Sequence, residues 1–368
     1  MMRCRIFVLA CVLLCGLVPR YAEALIVVGV NTVNPNKLND QQQDQLIEQL
    51  RANGVKTIRL PLVDDKSIRF IVDAYQHGIA TVLIIYPTSG STNARMRPAD
   101  PSIGLGWRVA AFSDIDPQAF RGWAAIQLST LEAAGVHLAA FEFGNEINSA
   151  AYDGDFLSRS SGRILGISDL DNVADPQIAA ITTGYRVYLK TLAVFRQLRD
   201  GSKLNRSTPI LSAGLADPGP PSPPKSWNKR DSISIAATLE FLRRNGLDRL
   251  VDGYGVHVYP NGDPGITLAA RIDTLGHDTF AMCTSAKPCW LTEWAFNNAN
   301  QSCPLNDETR LHLFQTERNA FKQFAGQGRL AATIYFSWSG SPGDKENQGA
   351  IFRCNALTDA GKLVLSPL

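Results

Sequence analysis

At 368 residues, with 45% hydrophobic and 19% charged content, the chain can bury a sizeable core as one large domain or two ordinary ones. A formal charge of +2 and the lack of long like-charge runs argue against a nucleic-acid partner and against a charged tail.

Arg3 and Arg5 precede an apolar stretch from Ile6 to Val18, followed by Pro19-Arg20 and then Ala22-Glu23-Ala24. A charged start, an apolar run too short to span a bilayer and a small-x-small site read as a signal peptide over 1–24, with the mature chain from 25 to 368. A retained membrane anchor is the competing reading, and Val8-Leu9-Ala10-Cys11 only loosely resembles a lipoprotein box. The expectation is a secreted or periplasmic monomer with no stable membrane anchor. Losing Arg3, Arg5, Arg20 and Glu23 makes the mature chain formally neutral. Cys283, Cys289, Cys303 and Cys354 remain, an even number that suggests disulfides in an exported chain. No Cys-x-x-Cys or histidine-paired spacing supports a metal site instead.

Leu25 to Val30 is a short apolar strand ending in Asn31-Thr32. Leu46, Ile47 and Leu50 fall at helical spacing within Asn39 to Ala52, and Gly54 follows. Val55 to Val63 reads as a strand and Asp65 to His77 as a helix closed by Gly78. Strand Ile79 to Tyr86 comes next, and after a loop Asp116-Pro117 opens a helix that stops at Gly135. Val136 to Phe143 is the fourth strand. The second half repeats the rhythm. Helices over 176–198, 232–245, 266–275 and 307–324 alternate with strands over 209–213, 251–259, 290–296 and 331–338, before a short final helix.

Eight β-then-α units without a composition break predict the α/β class and a single closed (β/α)8 barrel, the TIM barrel. No glycine-rich phosphate fingerprint follows the first strand, and no Gly-x-Ser-x-Gly elbow is present. The loops after strands 3, 4, 5, 7 and 8 are long, and in such a barrel they all lie at the face that carries active sites.

Glu146, in Gly144-Asn145-Glu146-Ile147, ends the fourth strand, where burial makes a carboxylate costly. Alone it is more often a structural ion-pair partner. Glu293, in Thr292-Glu293-Trp294, holds the matching place on the seventh strand, so the two would face one another across one mouth. Such a pair can divide acid and nucleophile roles.

With both glutamates in place, the sequence resembles the glycoside hydrolases of clan A, retaining β-glycosidases on (β/α)8 barrels, over essentially the whole mature chain. Asn145-Glu146 resembles the strand-4 acid/base motif and Glu293 the strand-7 nucleophile. Arg59, in Ile58-Arg59-Leu60-Pro61, matches the strand-2 arginine of cellulase-like family 5, although it could instead pair with Glu142 inside the barrel. His257 and Tyr259, in Gly255-Val256-His257-Val258-Tyr259, match the strand-6 pair. They are two apart, so they share one strand face. Trp338, in Phe336-Ser337-Trp338, matches the strand-8 tryptophan that floors a sugar subsite, with plain core as the alternative. Arg59, Asn145, His257, Tyr259 and Trp338 are therefore the expected substrate-binding set. The resemblance implies double displacement with Glu146 as proton carrier and Glu293 as attacking group, carboxyl groups about 5–5.5 Å apart, and no metal or organic cofactor. The implied substrate is an oligo- or polysaccharide. A transglycosylase with the same glutamates is the first alternative, and a non-catalytic carbohydrate-binding barrel the second.

The chain departs from family 5 in offering Ile85-Tyr86-Pro87 where that family has a histidine after strand 3. Gly-Asn-Glu-Ile is closer to galactanase-like and β-1,3-glucanase-like families, and Thr-Glu-Trp to xylosidase-like family 39. In the barrel topology Cys283 and Cys289 precede strand 7 while Cys303 and Cys354 follow strands 7 and 8. A strand of about 17 Å separates the two ends, beyond disulfide reach, which predicts the pairs Cys283–Cys289 and Cys303–Cys354. Trp107, Tyr152, Trp227 and Asn297 are candidates for further subsites. Arg95, Arg97 and Arg108 cluster after strand 3, either as a solvated face or as readers of an acidic sugar. Asn205-Arg206-Ser207 and Asn300-Gln301-Ser302 are glycosylation sequons.

Overall fold

The structure, a computed structural model, describes residues 26–218, 230–260, 267–297, 308–340 and 349–368. Residues 1–24, expected to form a signal peptide, together with Trp227, Cys303 and the sequon at Asn300, lie outside the described residues. No described helix is long and apolar enough to cross a membrane.

Eight parallel strands close into a barrel: β1 Val27–Asn31, β2 Thr57–Pro61, β3 Ala80–Ile85, β4 Ala140–Phe143, β5, β6 Tyr254–Val258, β7 Cys289–Trp294 and β8 Leu330–Tyr335. β1 pairs with both β2 and β8. β5 is broken into two pieces, Ile210–Leu211 and Leu215–Ala216. The first pairs with β4 and the second with β6, so the broken strand closes the ring. Single bridges from Asn145 to Gly214 and from Leu211 to Gly253 complete the seam.

The helices that return the chain are α1 Asp40–Ala52, α2 Asp65–Gln76, α3 Pro117–Ala133, α4 Pro176–Asp200, α5 Ile235–Arg244, α6 Leu268–Asp278, α7 Glu308–Gly326 and α8 Asp359–Leu365. Their starts follow from local chemistry. Asp116 and Asp175 each precede a proline and accept from the backbone N–H two residues on, at 2.8 and 2.9 Å, satisfying donors that the helix itself leaves free. α3 and α4 bury Phe120, Tyr188 and Phe195 against Phe141 and Phe143 of β4. β4 thus alternates, with Phe141 and Phe143 facing the helices while Ala140 and Glu142 face the barrel interior.

Inside the ring, Val82, Ala140, Leu211, Trp290, Ala332 and Ile334 form an apolar layer. The buried polar side chains of Asn31, Arg59, Glu142, His257, Thr292 and Glu293 sit beyond it, toward the strand C-termini. The Cys283–Cys289 bridge forms as expected, with the Cα atoms 5.5 Å apart. Cys354 is disulfide-bonded too, and its expected partner Cys303 lies outside the described residues.

Candidate active site

Register brings the polar layer together. Asn31 pairs with Arg59 across β1 and β2, and His257 pairs with Glu293 across β6 and β7. The second pairing depends on a bulge, because Val256 still faces Leu291 while His257 already faces Glu293. The extra residue is Thr292. A bulge lets neighbours share a face that strict alternation would split. Thr292 Oγ1 donates to Glu142 at 2.7 Å while Glu293 receives Arg59 at 2.6 Å, so consecutive side chains both enter the barrel.

Glu146 reaches the same centre by a turn. β4 ends at Phe143, Gly144 has φ 97° and Glu146 itself has φ 44°, a left-handed conformation rare for a glutamate. The Glu146 N–H donates to the Gly214 carbonyl at 2.7 Å, which fixes the turn against β5. Asn145 is carried inward by the same turn, and its Oδ1 accepts from Arg59 at 2.7 Å.

Arg59 organises the cluster. Its Nε donates to Glu142 at 2.5 Å, and Nη1 to Asn31 at 2.7 Å and Glu293 at 2.6 Å. Nη2 donates to Asn145 and stands 3.2 Å from His257 Nε2. Burial opposes the guanidinium charge, but Glu142 and Glu293 outweigh that and raise its pKa further. Glu142 is fully buried, which alone would favour its neutral form; Arg59 and then His257 reverse that and lower its pKa. The Tyr259 hydroxyl donates a short hydrogen bond to the second oxygen of Glu293.

His257 Nδ1 lies 3.0 Å from Glu146 Oε1. Burial alone would depress the imidazole, yet Glu293 and the bonds to Glu142 and Glu146 push its pKa from 6.5 up to about 9. Its Nε2 has Glu293 at 3.7 Å and Glu142 at 3.8 Å, two carboxylates against the single guanidinium nearby. Two cations, Arg59 and His257, therefore stand among three carboxyl groups.

The structure corrects three expectations. Arg59 and His257 are 2% and 0% exposed, so they hold Glu293 and Glu146 from behind rather than touching a substrate. Trp338 is also fully buried, stacked on Phe352 at 4.9 Å, and offers no face to a sugar. β8 ends at Tyr335, so the half-buried ring beside Tyr259 is Phe336, at 6.3 Å and nearly perpendicular. Of the five residues expected to contact substrate, only Tyr259 is exposed, at 37%, while Asn145 is buried at 5% and held by Arg59.

Tyr86 was not expected there. Burial pushes its phenol up to about 12, against the pull of Arg59 and with the charges of Glu293, Glu142 and Glu146 adding to the rise. Tyr152 is raised well above the ordinary value for the same reason, burial first and Glu146 next. Its ring is 5.7 Å from that of Trp107, which is half exposed and donates Nε1–H to the Ala151 carbonyl at 3.0 Å. Asn297 is exposed just past β7. Arg95 is taken up by Asp155 at 3.0 Å, Arg97 donates to backbone carbonyls of the strand-4 loop, and Arg108 is exposed. Asn205 cannot serve as a glycan acceptor in the folded chain, being fully buried with Nδ2 donating to Val136 at 3.0 Å.

Glu146, His257 and Glu293 offer three ligand atoms within 4.8 Å of one another, in outline a metal triad. The donor set does not suit a cation. Glu293 is already paired with the Arg59 guanidinium and the Tyr259 hydroxyl, and Glu146 with the His257 ring. A metal would sit beside two positive charges and displace hydrogen bonds that satisfy all three ligands.

No protein-family model and no curated protein sequence matches the chain. Solved structures do. A fungal β-1,4-galactanase is similar at 16% identity and TM-score 0.53, over 92% of this chain and 93% of that one. A family 1 β-glucosidase from Thermotoga maritima is similar at 10% identity and TM-score 0.53, covering 92% and 96%. A family 5 xyloglucanase from Paenibacillus pabuli is similar at 11% identity and TM-score 0.50, covering 93% and 98%. At these identities the likeness establishes the fold, the (β/α)8 barrel in which those glycosidases are also built.

Proposed function

We propose that the protein is a retaining β-glycoside hydrolase of clan A, with Glu293 as nucleophile and Glu146 as general acid and base. The observation that carries this is the meeting of the two carboxylates at the ends of β4 and β7. Their oxygens come within 4.8 Å, in the range of direct displacement and short of the 6.5–9.5 Å that an inverting enzyme leaves for water. Their surroundings differ in the way the two roles require. Glu293 accepts from a guanidinium and a phenol, donors that hold its oxygens in place for attack. Glu146 is the more exposed, its side chain 21% accessible against 9% for Glu293, and it sits where a leaving oxygen can reach it.

In the first step a Glu293 oxygen attacks the anomeric carbon, the bond to the leaving oxygen breaks, and Glu146 gives that oxygen its proton. In the second, Glu146 takes a proton from water, the resulting oxygen attacks the same carbon, and the ester bond to Glu293 breaks. His257 donates to Glu146 throughout, and Arg59 and Tyr259 receive the charge that returns to Glu293.

An oligo- or polysaccharide substrate fits the long loops at the mouth and the aromatic pair Trp107 and Tyr152, whose faces suit the C–H face of a sugar. The names of the similar galactanase and xyloglucanase point the same way. Export by the segment over 1–24 belongs to this reading, and an exported enzyme would meet extracellular polysaccharides. Transfer to a second sugar instead of water would use the same residues, and product analysis at high acceptor concentration separates the two. The test of the mechanism is trapping with a panel of 2-fluoro activated glycosides followed by peptide mapping. A label on Glu293 is expected. No label from any sugar, with activity unchanged in Glu293→Gln, overturns the proposal.

A further inference from the structure

A cavity of about 340 Å³ opens from Glu146 along the loops that follow β4 and β5, with Asn148, Arg163, Arg230 and Asp231 among its walls. Most of its polar groups are already satisfied. Asp231 accepts from Arg163 at 2.6 Å, Ser160 at 2.7 Å and Gln177 at 3.0 Å, a closed ion pair. Asn148 donates to the Ala216 and Ile233 carbonyls at 2.7 Å each and accepts from the Ala216 N–H at 3.0 Å.

Arg230 differs from these. It is half-buried and makes no hydrogen bond or ion pair among the described residues. Its Nη2 lies 3.9 Å from where a Cβ on Gly104 would stand, so the guanidinium reaches from the strand-5 loop across to the strand-3 loop. Burial lowers its pKa with no acid to offset the loss. Arg97, lowered by burial and partly offset by Asp153, is lowered again by Arg230. A half-buried guanidinium without a partner among the described residues is costly unless an anion joins it.

The position of the cavity defines what that anion belongs to. In an in-line displacement the leaving group lies beyond the anomeric carbon from the nucleophile, beside the group that protonates it. Glu146 lines this cavity and Glu293 does not. The cavity is thus on the leaving-group side.

We propose that this cavity binds the leaving-group sugar and that Arg230 selects one bearing an anionic substituent, a carboxylate or a sulfate. The inference rests on the glycosidase reading. A planar guanidinium with free N–H donors can take either anion through two parallel bonds, the geometry in which arginine surpasses lysine.

The test is calorimetric titration of the full chain with glucuronate, glucose 6-sulfate and glucose. At least one anion is expected to bind about tenfold more tightly than glucose, the scale of one charge-assisted hydrogen bond. Whichever anion does so identifies the substituent. Arg230→Gln is expected to bring that anion down to glucose, while Arg230→Lys keeps part of the preference, and unfolding curves check that both variants fold. Equal binding of all three probes, no binding of either anion at millimolar concentration, or a preference that survives in Arg230→Gln overturns the proposal. Turnover of a neutral aryl glycoside by the unaltered enzyme separates the two readings. Turnover without an anion preference overturns the anionic site alone. An anion preference without turnover of any glycoside overturns the glycosidase reading and, with it, the leaving-group assignment.

Discussion

Gly214 lies in the break of β5, and a single methyl there should disable the site from behind. A Cβ at Gly214 would stand 2.1 Å from His257 Nε2 and 2.3 Å from Glu142 Oε1, both fully buried. Ordinary contact begins near 3.4 Å, so each group must retreat by about 1 Å or more. Neither has room, since His257 is held by Glu146 and Glu142 by Arg59 and Thr292. Overpacking costs about 1–3 kcal/mol, and the loss approaches about 3–5 kcal/mol if the Arg59–Glu142 pair is broken. A displacement of about 1 Å behind a reacting group also lowers turnover by about 10²-fold. Gly214→Ala should therefore lose stability in urea unfolding and kcat/KM on an aryl glycoside together. Gly122, exposed in α3 with nothing near its own Cβ position, supplies the contrast. There the same substitution should stabilise by about 0.4–1 kcal/mol. A Gly214→Ala protein with unchanged stability and unchanged kcat/KM would refute the packing argument.

Tyr259→Phe removes one of the two donors to Glu293 and should lower kcat/KM by about 10²-fold, with little effect on an unfolding curve because Tyr259 is 37% exposed. An equally active Phe variant would mean that Arg59 alone suffices to hold Glu293. The pH dependence of stability should carry two descending components. His257 is raised in the folded state from 6.5 to about 9, so its contribution is complete below pH 6.5 and is lost as pH rises through about 9. Glu317 is raised by burial, against the pull of Arg271, from 4.5 to about 8, and its Oε2 has no hydrogen-bond partner among the described residues. Its folded form retains the proton, so stability falls between pH 4.5 and 8 as that proton must leave. Glu317→Gln should abolish the lower component and His257→Gln the upper, and unfolding curves from pH 4 to 10 that keep both slopes in the double variant contradict the assignment.

The sequence was most legible where an apolar run ends in a polar residue. Glu146 stands at such an ending and Glu293 at the matching place on the seventh strand, while His257 and Tyr259 follow only from the resemblance to the family's strand-6 pair. Alternation failed at the strand ends, and for identifiable reasons. Thr292 and Glu293 both face inward because of a bulge, and Asn145 and Glu146 because of two left-handed residues. Neither leaves a mark in hydrophobic periodicity. Trp338 was misplaced because the strand ends at Tyr335, three residues earlier, and the Trp338 ring is fully buried by then. The strand-3 arginines were a poor guide to an acidic ligand. Their composition is the same whether they meet Asp155, as Arg95 does, or nothing. Only the fold distinguishes Arg230, without an acid among the described residues, from Arg163 with one.

Arg59 is the residue on which a conservative change should be least tolerated. Its five N–H groups face Glu142, Asn31, Glu293, Asn145 and the His257 ring, one each. A lysine would keep the charge but offers three donors from one point, and cannot span four acceptors that come from the ends of β1, β4 and β7. At least one buried acceptor would then lose its partner, at about 1–3 kcal/mol. Arg59→Lys should therefore be destabilised by at least about that much although no net charge has been removed. Its activity should fall through kcat rather than KM, since Arg59 is 2% exposed and holds Glu293 without touching substrate. Glu142→Gln is the informative partner. If Glu142 serves to hold Arg59, the two losses overlap, and the double variant is hardly worse than Arg59→Lys alone. Additive losses in that cycle would mean that Arg59 and Glu142 act separately, and that the fork is not what holds the nucleophile.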